Sequence, residues 1–110
     1  MRTFEAFLEV VLRFSDLERL EFRDDQIAGC IKALRRLREG ASSAELRAEG
    51  RLVGGVEEVL GILEEFVRKA DEEESLRLEE ALRIFIRSPA PCKKITLSVV
   101  ATLLGRSEVR

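Results

Sequence analysis

At 110 residues, with 45% apolar and 36% charged residues, the chain has the make-up of one folded domain; a disordered segment has too little apolar content to offset its ordering entropy. It contains no histidine, tyrosine, tryptophan or asparagine, which excludes a histidine general base, a Ser-His-Asp triad and a histidine-assisted metal site. A net charge of −2 carries no message about nucleic acid by itself.

Phe4, Phe7, Leu8, Val11 and Leu12 recur at helical spacing and predict a first amphipathic helix. Ser15 and Glu18 have capping-box spacing, and Leu17, Leu20 and Phe22 follow, so residues 16–22 read as a short helix or an extension of the first. Asp24 or Asp25 supplies a cap for a second long helix, on which Ile27, Ile31, Leu34 and Leu37 share a face. Gly40 is placed to end it. Ser42 and Glu45 repeat the capping-box spacing, which predicts a helix from residue 43 and a break near Gly54 and Gly55. A small hairpin over Leu46 to Val53 is the competing reading.

Val56, Val59, Leu60, Leu63, Phe66 and Val67 form the stripe of a third long helix. The acidic run Asp71 to Glu74 reads as a solvated corner, and Ser75 as the cap of a fourth helix with Leu78, Leu82 and Phe85 on one face. Ser88-Pro89-Ala90-Pro91 breaks that helix, because proline lacks an N–H and clashes with the preceding turn. Ile95 to Leu104 has no charge on any side, the pattern of a buried helix. Its β-branched content makes a strand the competing reading. The expected fold is all-α: a compact, mostly antiparallel bundle of four to five helices forming a single domain over 1–110. The expected core draws on Phe7, Leu8, Val11, Ile31, Leu34, Leu60, Leu63, Leu82, Phe85, Val100 and Leu103.

Charge is sorted along the chain. Residues 57–80 carry a net −7, residues 81–110 a net +5 and residues 23–38 a net +3. Self-complementation, within one chain or between two copies, explains this sorting. Lys32, Arg35 and Arg36 share a helix face, and with Lys93 and Lys94 they are the candidate contacts for nucleic acid or another anion. The six phenylalanines read as core, so base-stacking platforms have weak support. Cys92, beside Lys93 and Lys94 at the start of the last helix, stands where a thiolate is favoured. The acids 71–74 with Glu79 and Glu80 lack the loop spacing of a calcium site. Thr96 to Arg110 loosely resembles the first helix and turn of a helix-turn-helix domain, but the sequence ends where a recognition helix would continue.

Two cysteines do not make a disulfide framework, and Glu5 and Glu9 interrupt the first apolar stretch, so a reducing cytoplasm without a secretory signal is expected. The longest uncharged run has 11 residues, short of the roughly 20 needed for a membrane helix. A single glutamine and a single methionine, beside abundant Glu and Arg, suggest heat adaptation. The expected function is a non-enzymatic interaction module, a small subunit that self-associates or docks into a larger assembly. No cofactor, metal, membrane or small-molecule substrate is expected. The alternative is a nucleic-acid-associated accessory protein. In size and class the chain is similar to the small helical subunits of CRISPR effector complexes, an analogy of architecture without a shared motif.

Overall fold

The computed structural model describes residues 2–108. Among the described residues the structure is mostly helical, 75%, a compact globule with six α-helices rather than four to five. They are α1 Thr3–Arg13, α2 Asp24–Arg38, α3 Ser43–Glu49, α4 Leu60–Lys69, α5 Glu72–Arg87 and α6 Lys93–Glu108. Short 3-10 turns at Val56–Glu58 and Ala90–Cys92 lead towards α4 and α6. α5 packs against α1, α2 and α6, while α4 leans on α2 and carries α3.

The three fully buried phenylalanines, Phe7, Phe66 and Phe85, come from α1, α4 and α5. Phe85 receives two rings edge-on: Phe7 at 6.4 Å and Phe22 at 5.0 Å between centroids. Such perpendicular pairs add about 0.5–1.5 kcal/mol beyond the area they bury. Of the expected core, Leu8 is only partly buried, and Leu103 is 56% exposed.

Residues 15–22 are not helical. They form a hairpin of β1 Ser15–Asp16 and β2 Glu21–Phe22, with Ser15 opposite Phe22. The Ser15 hydroxyl donates back to the Leu12 carbonyl at 2.8 Å, closing α1 instead of opening a new helix. A helix would set Phe14 and Phe22 about 12 Å apart along its axis. The hairpin lets Phe14 sink into the core while Phe22 reaches Phe85, with the Arg23 amide bonded to the Phe14 carbonyl at 2.8 Å. The turn holds Leu20 at φ 54°, a left-handed conformation that leucine seldom adopts. Leu17 and Leu20 are both 52% exposed at the tip.

α2 closes with a Schellman motif. Gly40 sits at φ 107°, its amide bonds to Leu37 O and the Ala41 amide bonds to Arg36 O. Neither Asp24 nor Asp25 caps α2; both lie in its first turn, where negative charge suits the dipole. Ser42 caps α3, with the Glu45 amide donating to Ser42 Oγ at 3.1 Å; the Glu45 carboxylate accepts from the Ser42 hydroxyl at 3.2 Å instead of from its amide, so only half of the expected box forms. Ser75 does not cap α5. Asp71 does, accepting from the Glu74 amide at 2.8 Å, so Glu72–Glu74 form the first turn of α5 rather than a corner. Gly29 is where α2 packs tightly on the segment before α4: a Cβ there would lie 3.0 Å from Val56 Cγ2 and 3.1 Å from Val53 Cβ.

α6 is not a buried helix. Val100 and Leu104 are buried and Leu97 and Ala101 partly so, whereas Ile95, Val99 and Leu103 are 67%, 51% and 56% exposed. Among the described residues no helix is long and apolar enough to cross a membrane.

Candidate functional site

The five basic candidates do not form one patch. Lys32, Arg35 and Arg36 line a groove beside α2, whereas Lys93 and Lys94 begin α6. Lys93 is 5% exposed and is drawn inward. Its Nζ donates to Phe85 O at 2.8 Å and Ser88 O at 2.9 Å, lies 3.2 Å from Asp24 Oδ2 and sits 4.8 Å from the centre of the Phe85 ring. The charge therefore satisfies the end of α5 and ties it to the start of α2, instead of facing an external anion. Lys94 remains exposed.

Arg35 and Arg36 also have internal partners. Glu79, on α5 and only 7% exposed, accepts from three guanidinium groups: Arg35 Nε at 3.1 Å, Arg38 Nη1 at 2.7 Å and Arg83 Nη2 at 2.7 Å. Arg36 forms a two-pronged pair with Glu49 at 2.7 and 2.8 Å. That pair holds Arg36 above and Glu49 below their ordinary values, chiefly through the hydrogen bonds.

The groove lies between α2, α3 and residues 51–53, with a volume of about 390 Å³, inside the usual range for ligand pockets. Its walls include Gly29, Ala33, Leu46, Leu52 and Val53. Its charged residues are Lys32, Arg35, Arg36, Arg51, Glu39 and Glu49. Gly29 lies against Val53, and Arg36 is bonded to Glu49. Residues 49–53 thus run alongside 29–36 in the opposite sense, and Arg51 lines the same groove as Lys32 and Ala33. The sequence signal for this site was the shared face of Lys32, Arg35 and Arg36. It did not extend to Arg51, Leu52 and Val53.

α3, one wall of the groove, is held by carboxylates at both ends. Glu64 accepts from the Ser43 amide at 2.8 Å and the Ser43 hydroxyl at 3.1 Å, and Glu49 holds Arg36. Both carboxyls are lowered from their ordinary 4.5, Glu64 by the Ser43 amide first and hydroxyl second, Glu49 by the Arg36 hydrogen bonds. A lowered folded-state value means a contribution fully present above the unfolded value and lost as pH falls through the folded one. Acidification below 4.5 is therefore expected to loosen α3 before the core. Amide exchange over 43–49, followed at falling pH against exchange in α5, checks the order.

The second surface is the outward face of α6. Ile95, Val99 and Leu103 recur every four residues and make one exposed apolar stripe. Ser98 and Thr102, both exposed, lie beside it. The resemblance over Thr96 to Arg110 to a helix followed by a turn is not met: α6 is one continuous helix to Glu108, and Val109 and Arg110 lie outside the described residues.

Cys92 is exposed on the turn before α6, and the Lys93 Nζ beside it in sequence is engaged elsewhere. Cys30 is buried, which pushes its thiol up to about 12. No three His, Cys, Asp or Glu side chains among the described residues are grouped to hold a metal ion. No protein-family model, curated protein or solved structure matches the chain.

Proposed function

We propose that the protein is a non-enzymatic helical interaction module, a small subunit that associates with a second copy of itself through the outward face of α6. The supporting observation is that α6 is apolar on both sides: Val100 and Leu104 face the core while Ile95, Val99 and Leu103 face solvent. Transfer of such side chains out of water contributes about 1.5–3 kcal/mol each when burial is complete. The stripe is centred on Val99, so a twofold axis there sets Ile95 of one copy against Leu103 of the other, the self-complementary pattern of a symmetric dimer. Ser98 and Thr102 are small enough to let two such helices approach closely.

The nucleic-acid alternative draws less support. Arg35 and Arg36 already hold Glu79 and Glu49, and Lys93 is buried.

Sedimentation equilibrium tests the reading. The wild type is expected at twice the 12.5 kDa chain mass. Val99→Glu puts an unpaired charge at the centre of the face and weakens association at least about tenfold. Since Val99 is already half exposed, the variant keeps its helical circular dichroism. A wild type that sediments as a single chain at every concentration overturns the proposal.

A further inference from the structure

We infer that the groove between α2 and α3 binds a small amphiphilic carboxylate, an apolar body carrying a single negative head, with the head between Lys32 and Arg51. Three observations carry this. The apolar residues Ala33, Leu46, Leu52 and Val53 line a space of about 390 Å³, large enough for a medium-chain tail. The charged residues around it are four bases against two acids. Arg35 is engaged by Glu79 from outside the groove and Arg36 by Glu49 within it, whereas Lys32 and Arg51 form no direct ion pair among the described residues, although the Arg51 charge is near enough to Glu49 to help lower its carboxyl. The remaining positive charge is small, which suits a monoanion rather than a phosphate dianion. Both of those cations line the same groove as the apolar residues.

The site is independent of the α6 face, so its test stands apart from that of self-association. Decanoate serves as the probe, with decanol and decyltrimethylammonium as its neutral and cationic counterparts. Isothermal titration and amide chemical-shift mapping on the full chain are the two readouts. Expected is saturable decanoate binding, with shifts confined to residues 29–39, α3 and residues 51–53. Decanol and the cation bind more weakly, and added salt weakens decanoate by screening. Removing both head contacts with Lys32→Gln and Arg51→Gln lowers decanoate affinity at least about tenfold, since charge-assisted hydrogen bonds are the strong ones. Both side chains are exposed, so this variant folds as the wild type does. The companion Val53→Asp, on the exposed part of the lining, lowers affinity through the tail instead. No binding, equal binding of the three probes, or shifts centred on Ile95, Val99 and Leu103 as in detergent-like adsorption overturns the inference.

Discussion

Replacing Glu79 by alanine is expected to lower unfolding free energy by about 3 kcal/mol, because removing one partner of a buried ion cluster strands the others. Its carboxylate side chain is 9% exposed and receives Arg35, Arg38 and Arg83. Arg35 and Arg38 come from α2 and Arg83 from α5 itself, so the cluster joins the two helices. Without the carboxylate, three cations converge on one another across that interface. Their side chains are 50%, 24% and 26% exposed, so water recovers part of the loss. That recovery sets the value at the low end of the roughly 3–5 kcal/mol seen when a buried pair is broken. Thermal melting should show a fall on the order of 10 °C. Glu79→Gln, which keeps an acceptor but not the charge, falls between. Glu80→Ala is the control: it lies 3.6 Å from Arg83 with its side chain 57% exposed, and such a pair contributes about 0–1 kcal/mol. Equal melting of the Glu79→Ala and Glu80→Ala variants would mean that the cluster holds nothing together.

Lys93→Met is expected to cost a similar amount, about 3 kcal/mol, through lost hydrogen bonds to buried acceptors and a broken ion pair. Methionine keeps much of the stem but leaves the carbonyls of Phe85 and Ser88 and the Asp24 carboxylate without the ammonium they share. Arginine does not rescue it, because a planar fork does not reproduce the three-directional donation of an ammonium. Lys94→Ala, next in sequence but exposed, changes stability by about 0.5 kcal/mol or less. Urea denaturation of the three variants separates these outcomes. Faster amide exchange over 85–88 in Lys93→Met would place the damage at the end of α5. A Lys93→Met variant as stable as Lys94→Ala would sink this account.

The contrast between those two lysines shows what the sequence made legible. Side by side in a basic tetrapeptide, they read alike; whether a lysine turns inward depends on carbonyls presented by α5 and a carboxylate 69 residues away on α2. The same limit explains the hairpin. Ser15 and Glu18 satisfy a local rule for starting a helix, but Phe22 reaches Phe85 from across the fold and overrides it. Where the deciding contact is local, sequence and structure agree: Gly40 closes α2 and Ser42 caps α3. On α6 the periodicity was visible but its meaning was not. An uncharged helix can be enclosed or two-faced, and only the placement of α1 and α5 decides between them. At the groove, the shared face of Lys32, Arg35 and Arg36 was legible. The carboxylates that engage two of them, Glu79 and Glu49, lie 44 and 13 residues away and were not.

The difference between the two thiols has a practical consequence. With Cys30 sealed in the core and Cys92 in solvent, a maleimide dye marks the unmodified sequence at one known point, just ahead of α6. In a twofold pairing about Val99, the two dyes are held about 20 Å apart along the helix axes. Energy transfer between labelled copies would then read the pairing geometry directly, and ready oxidative cross-linking through Cys92 would signal a head-to-head arrangement instead.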